Sequence, residues 1–466
     1  MPGCRVSQQQ PAGVLALATF GNASGNIYDL KRCFFSGCVF LTAQSRGGSF
    51  AEMTMVGCLR LRYSTLCAFM ILGTVEAAWA PMIPYVKARF ALDEGSLGAL
   101  LLCTGLGSFV ALPLAGALCA RLGCRRLVCG SAVLLATCLL VAALSPVIYL
   151  VIPVLLLFGM ASTGTNIGIN VNAVLVEAAL KKPLMSGFHG GYSLGTLIGA
   201  SLVSLLLTAG LKIAAAALLV WFLTALAVLL FRRGLFTGSS VQKSADTGAK
   251  CVSGQSGQDA AVLKASTRFL MIPPLVLVVG GLCFIMYGSE GAVLSWSGVF
   301  ASQERGMDLR HAGFIYTAFA CAMTLMRLLG NRIVAVIGPR KTVTAGSVLV
   351  AAGFLMVALV PHAVGTAAGF ALAGLGAANI VPQLVSFTGR ISPVLGIPVN
   401  RAIAVINAVG YSGSLMSPVI IGHVAEATSL STAFIGISVL TLLVGLVCFR
   451  ILRPQGSTAV TAEPET

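Results

Sequence analysis

The stretch Gly116-Ala-Leu-Cys-Ala-Arg121-Leu-Gly123-Cys-Arg125-Arg126 joins two long apolar runs. Later in the chain a second basic turn, Gly330-Asn331-Arg332 followed by Gly338-Pro-Arg340-Lys341, does the same. Aligning Gly123 with Gly338 sets an offset of 215 residues between two copies of one pattern. The reading is physical. Glycines let two helices and a tight turn come close, and basic side chains stay in water beside lipid headgroups. A chain that repeats such a turn at half its length is built from two similar halves.

The apolar runs on either side are long enough to cross a bilayer, which takes about 20 residues. Twelve can be marked, over roughly 63–86, 96–119, 127–144, 147–176, 185–207, 211–230, 271–299, 312–329, 343–360, 363–386, 402–421 and 431–451. They are continuous rather than alternating, so helices are expected, not barrel strands. Composition agrees. Hydrophobic residues make up 57% of the 466 and charged residues 9%, and mean hydropathy is +0.95. A soluble surface needs roughly 25% charge, so lipid is the solvent here. Net charge is +16, but the basic residues are scattered between apolar runs and form no nucleic-acid footprint.

Lys and Arg set the expected orientation. With both termini on the cytoplasmic side, the inner segments carry 24 basic residues and the outer segments 5. The segment 232–268, rich in Gly, Ser, Lys and Asp, reads as a cytoplasmic linker. It divides the chain into a six-helix half over 63–231 and another over 269–452. Residues 1–62 form an extension and 453–466 a disordered tail. The runs Gly13–Phe20 and Cys33–Leu41 are too short to span. Met53 and Met55 stand just before the basic flank of the first run, and one of them is the expected native start.

The first-half turn resembles the cytoplasmic loop signature of the major facilitator superfamily, G-x-x-x-D-R-x-G-R-R. Two positions depart from it: Ala120 stands where the signature has Asp, and Cys124 where it has the first late Arg. A narrower likeness rests on Trp79-Ala-Pro-Met-Ile-Pro84, on Asn166-Ile-Gly-Ile-Asn170-Val-Asn172 leading to Val176-Glu177, and on Met185-Ser-Gly-Phe-His189-Gly-Gly-Tyr-Ser193-Leu-Gly195. Together these are similar to a bacterial branch of the superfamily related to fucose permeases, from about Arg60 to Arg453. The resemblance implies an all-α membrane protein of two six-helix bundles, with a solute site near the midplane between them. It implies a secondary transporter and does not settle the substrate; the expectation for the chain as a whole is a monomeric, proton-coupled carrier of a small solute, sugar-like, in the bacterial inner membrane.

Ionisable groups inside a span are costly and point to function. Glu76 lies 13 residues into the first run, roughly 20 Å along a helix. The offset carries position 76 to 291, beside Glu290, so each half is expected to place a proton-coupling carboxylate at similar depth. Arg327 is expected near the cytoplasmic end of the eighth run, too deep to reach Glu290, and is assigned to the inner gate. Glu177 is expected to pair there with Arg121 and Arg125, with His189 as a hydrogen-bonding group at the same mouth. Asn170, Asn172, Asn379, Gln383 and Asn407 are candidates for solute hydrogen bonds. Trp79 and Trp296 offer flat faces to a ring. The stripe Gly187, Gly191, Gly195 and Gly199 reads as a helix-packing seam.

No Pro completes an efflux-type G-x-x-x-G-P pattern in that stripe, which leaves efflux of amphipathic compounds as the alternative. No metal or cofactor is expected. The fourteen Cys form no CxxC pair, no His stands at zinc-ligand spacing, and no HExxH or Walker-type sequence occurs.

Overall fold

A computed structural model describes residues 15–21, 27–35, 38–43, 55–180, 182, 184–237 and 272–452. The expected linker falls almost wholly outside these residues, as do the tail and the proposed start at Met53. The chain divides into two units, Met1–Val56 and Gly57–Thr466. In the first, β1 (Leu15–Gly21), β2 (Ile27–Phe35) and β3 (Cys38–Ala43) form an antiparallel meander, with Leu15 opposite Cys33 and Phe35 opposite Cys38. The two apolar runs that were too short to span lie largely in these strands.

The second unit carries twelve helices long and apolar enough to cross a membrane. They are Gly57–Phe90, Glu94–Leu122, Cys124–Leu144, Ile148–Leu180, Gly187–Thr208 and Ile213–Gly234, then Pro274–Gln303, Leu309–Gly330, Pro339–Leu359, Ala363–Ile391, Arg401–Ala427 and Leu430–Ile451. They are called the first to twelfth spans. Large apolar side chains such as Phe222, Leu230 and Val439 point outward, as a lipid-facing surface requires. Pro81 and Pro84 remove backbone donors in the first span, and a short tight turn at Ala80–Met82 takes up the break. The tenth span is interrupted after Ala377 and resumes at Ile380.

The 215-residue offset holds down to single contacts. Gly123 and Gly338 both adopt φ 81°, with ψ 160° and 158°, a left-handed region where a side chain would be strained. Asp93 caps the second span by accepting from the Ser96 amide, and Asp308 caps the eighth by accepting from the Arg310 amide. Gly159 of the fourth span lies against the Thr104 carbonyl of the second; its counterpart Gly374 lies against the Phe319 carbonyl of the eighth. Arg89 donates to the carbonyls of Ala143 and Ser145 at the end of the third span. Arg305 donates to those of Val357 and Ala358 at the end of the ninth. These two arginines neutralise the carbonyl-rich ends of helices.

The halves meet along two seams, the second span on the eleventh and the fifth on the eighth. At the end remote from the basic loops, Gly298 packs on Pro84, Gly313 on Pro81, and Gly422 on the Glu94 carbonyl. There Thr208 also donates to the Arg310 carbonyl at 2.9 Å. Trp296 and Phe300 are fully buried beneath this closure. Halfway along, Thr324 donates to the Ser193 carbonyl.

Candidate functional site

Glu76 stands 14 residues before Phe90, and Glu290 stands 13 before Gln303. Each is roughly 20 Å from the far end of its span. Glu76 is held by two hydroxyls. Ser162 of the fourth span donates to one carboxylate oxygen, and Tyr192 of the fifth donates to the other at 2.8 Å. One carboxylate thereby ties three spans of the first half together. Neither donor was picked out from the sequence. Tyr192 lies inside the quoted fifth-span motif, but a tyrosine among glycines carries no sign of its partner.

Glu290 has a different partner, and here the sequence expectation is corrected. Arg327 lies 3.6 Å from Glu290, with 37% of its side chain open and 21% of that of Glu290. The eighth helix does not end with the apolar run near Leu329; it continues to Ile337. Those extra two turns raise Arg327 roughly 15 Å above the helix end, and the long guanidinium arm covers the rest. On the helix, Arg327 shares a face with Thr324, Ala320 and Tyr316, the face turned toward the first half.

Tyr316 brings the two carboxylates into one field. It lies within electrostatic reach of Glu76, Glu290 and Arg327. Tyr192 and His189 of the first half also feel Arg327. His189 is exposed, and its ring meets Phe69 edge-on at 5.3 Å between centroids. On the second half's side, the rings of Tyr287 and Tyr411 meet at a 33° tilt with centroids 4.8 Å apart, and Tyr287 feels Glu290.

The remaining candidates scatter. Glu177 makes no ion pair with Arg121 or Arg125 among the described residues. Its carboxylate instead accepts from the amides of Leu184 and Met185, at 2.8 Å from the latter, and caps the fifth span. A carboxylate satisfied by a helix end has no call on a distant arginine. The Arg121 side chain is exposed, and the Arg125 backbone amide donates to the Phe236 carbonyl. Asn172 is fully buried and spent on structure: it donates to Thr65 and accepts from the Phe236 amide. Asn170 bonds one turn back to Asn166, and Asn379 bonds the Met326 carbonyl, joining the tenth span to the eighth. Gln383 and Asn407 are half-buried. Trp79 is 4% exposed and rests near Phe158, and Trp296 is sealed under the far-end closure. Both tryptophans therefore pack, and neither offers an open face in this state.

A family model described as Major Facilitator Superfamily matches residues 65–397 and 283–466. An uncharacterised transporter of that type from Yersinia pestis is 38% identical over 392 residues, spanning 84% of this chain and 95% of the relative. The membrane protein MosC of Rhizobium meliloti is 28% identical over 371 residues, spanning 79% and 84%. Among solved structures, the nucleoside transporter NupG superposes with a TM-score of 0.64 at 15% identity, over 86% of this chain and all of that one. A D-xylose–proton symporter superposes with a TM-score of 0.66 at 14% identity, over 85% and 98%. At such identity the likeness is one of fold.

Proposed function

Because the chain belongs to the major facilitator superfamily, and is thus a multi-pass membrane transporter, we propose that it is a proton-coupled symporter for a small polar, sugar-like solute in the bacterial inner membrane. It works as a monomer by alternating access. Glu76 and Glu290 carry the protons. The observation that carries this reading is the pair itself: two carboxylates at matched depth, one in each half, gathered with Arg327 around Tyr316. A carboxylate in a span is stable only if it is paired, hydrogen-bonded or protonated, so rearranging its partners changes its hold on a proton.

The packing supports a state closed at the far end, with His189 and Arg327 open. With the basic loops cytoplasmic, that state faces inward. Opening the other way requires Gly298 and Gly313 to part from the prolines of the first span, while the fifth–eighth and second–eleventh seams act as pivots. The solved fold relative that is named a xylose–proton symporter is consistent with coupling of this kind.

The test is Glu76→Gln in proteoliposomes. The amide keeps the volume, its oxygen can still accept from one of the two hydroxyls while its NH2 donates to the other oxygen, and it cannot exchange a proton. A gradient of one pH unit is worth about 1.4 kcal/mol, or about tenfold accumulation. The variant is expected to lose that accumulation and keep exchange down the solute's own gradient. Normal uphill transport would remove Glu76 from the coupling.

A further inference from the structure

Arg327 is the most unusual side chain in the spans. It is a permanent cation on the face of the eighth span that turns toward the first half, and its one polar partner among the described residues is Glu290, at 3.6 Å. That separation is an ion pair without a short hydrogen bond. The guanidinium has five N–H donors in a planar fork, and 37% of the side chain is open. Around the pair stand the titratable groups of every neighbouring element. These are Glu76 on the first span, His189 and Tyr192 on the fifth, Tyr287 on the seventh, Tyr316 on the eighth and Tyr411 on the eleventh.

We propose that the transported solute is a small organic acid whose carboxylate takes the place of Glu290 on Arg327, and that the proton which neutralises Glu290 crosses with it. This rests on the transporter reading above and names its substrate class. A carboxylate matches the fork of Arg327 with two parallel hydrogen bonds, which Glu290 does not make. Tyr316 and His189 beside the pair supply further polar groups for hydroxyls of the same solute.

Charge accounting gives the coupling. In the empty site Arg327 and Glu290 sum to zero. If the acid enters as an anion without a proton, two carboxylates share one guanidinium, and the excess negative charge is costly in a low-dielectric span. When a proton from water adds to a carboxyl oxygen of Glu290, the sum returns to zero: neutral Glu290, and Arg327 with the solute anion. On the opposite side the anion leaves, the proton returns to water, and Glu290 takes Arg327 back. Only the empty and the doubly loaded sites cross cheaply, which makes one anion per proton the stoichiometry of the pair. A neutral solute has no such competition with Glu290.

Matched probes test this on the purified full-length protein: D-glucuronate against D-glucose, and D-galacturonate against D-galactose, read by thermal stabilisation and by uptake into proteoliposomes. An acid is expected to stabilise the protein where its neutral partner does not. Its binding should tighten from pH 7.5 to pH 5.5, a range in which the probe stays ionised. Glu290→Gln frees Arg327 from its competitor, so it should bind the acid about tenfold more tightly and lose the pH dependence. Arg327→Lys keeps the charge and the pair but not the fork, so the folded variant should bind about tenfold more weakly. The proposal is overturned if no acid exceeds its neutral partner, or if acid binding is unchanged in both variants. Proton-coupled uptake of a neutral sugar that Glu76→Gln abolishes would refute the acid specificity and leave the transporter reading intact. Acid binding without proton uptake would refute the coupling instead.

Discussion

The two halves of the molecule share a scaffold and differ in their site. Gly123 and Gly338, Asp93 and Asp308, Gly159 and Gly374, and Arg89 and Arg305 keep the same tasks about 215 residues apart. The central carboxylates do not. Glu76 is held by neutral hydroxyls from two other spans, and Glu290 faces a cation from the next span. Helix packing tolerates little change because backbones touch, so a repeat preserves it. A buried charge needs only some partner, so each half could settle on its own. The consequence is electrical. A proton arriving at Glu76 changes the charge of its hydroxyl cage, whereas a proton arriving at Glu290 releases a cation for other use.

The largest expected effect tests the shared part. Leucine at Gly159 or at Gly374 would drive side-chain atoms into the carbonyl of Thr104 or of Phe319. Each should cost at least about 3 kcal/mol, above the ordinary range for overpacking because backbone blocks the way. Fluorescence-detected size-exclusion melting should show similar losses for the two variants. A large loss in one half only would break the equivalence.

A smaller and deliberately unequal pair tests the site. Arg327→Gln leaves Glu290 facing no cation, and the half-open position cuts the cost from the ~3–5 kcal/mol of a fully buried pair to about 2 kcal/mol. Adding Glu290→Gln should recover most of that loss, since a neutral pair has no charge to strand. Tyr192→Phe removes one hydrogen bond from Glu76 and should cost about 1 kcal/mol, without rescue by any change at Arg327. Chemical denaturation in detergent, read by tryptophan fluorescence, compares the three. Equal losses without rescue would mean that the two carboxylates are held alike.

The smallest effect concerns the caps. The amide and hydroxyl of Ser96 hold the exposed Asp93 carboxyl below the usual carboxylate range. A lowered folded-state pKa stabilises above the ordinary value near 4 and is lost as pH falls through the lowered one. Between pH 5 and pH 8 the contribution of Asp93 should therefore be constant. The melting difference between Asp93→Ala and the parent should be the same at both ends of that window and shrink only in stronger acid. A difference that changes across the window would assign the titration to another group.

The sequence alone was enough for the spans, the halves and the repeat. Hydrophobic length is a one-dimensional property, and a bilayer of fixed thickness reads it directly. The glycine and basic turn at Gly123 and Gly338 was legible because a tight turn at a membrane surface restricts residue type. It also fixed the offset that put Glu76 and Glu290 at one depth. What it could not supply was the partner of either carboxylate. Ser162 lies 86 residues from Glu76 and Tyr192 lies 116 away, and nothing in their local sequence separates them from packing residues. Arg327 was misplaced because a polar end, Gly330-Asn331-Arg332, looks like a helix stop, while the helix runs on past the apolar stretch to Ile337. Glu177 looked like a gate residue until the start of the fifth span offered it amides. Asn172 looked like a ligand group until Thr65 and Phe236 used both ends of its amide. Span length and turn chemistry act locally, so the chain declares them. The choice of partner for a buried polar group is made across the bundle, where only the packed structure decides which donor arrives.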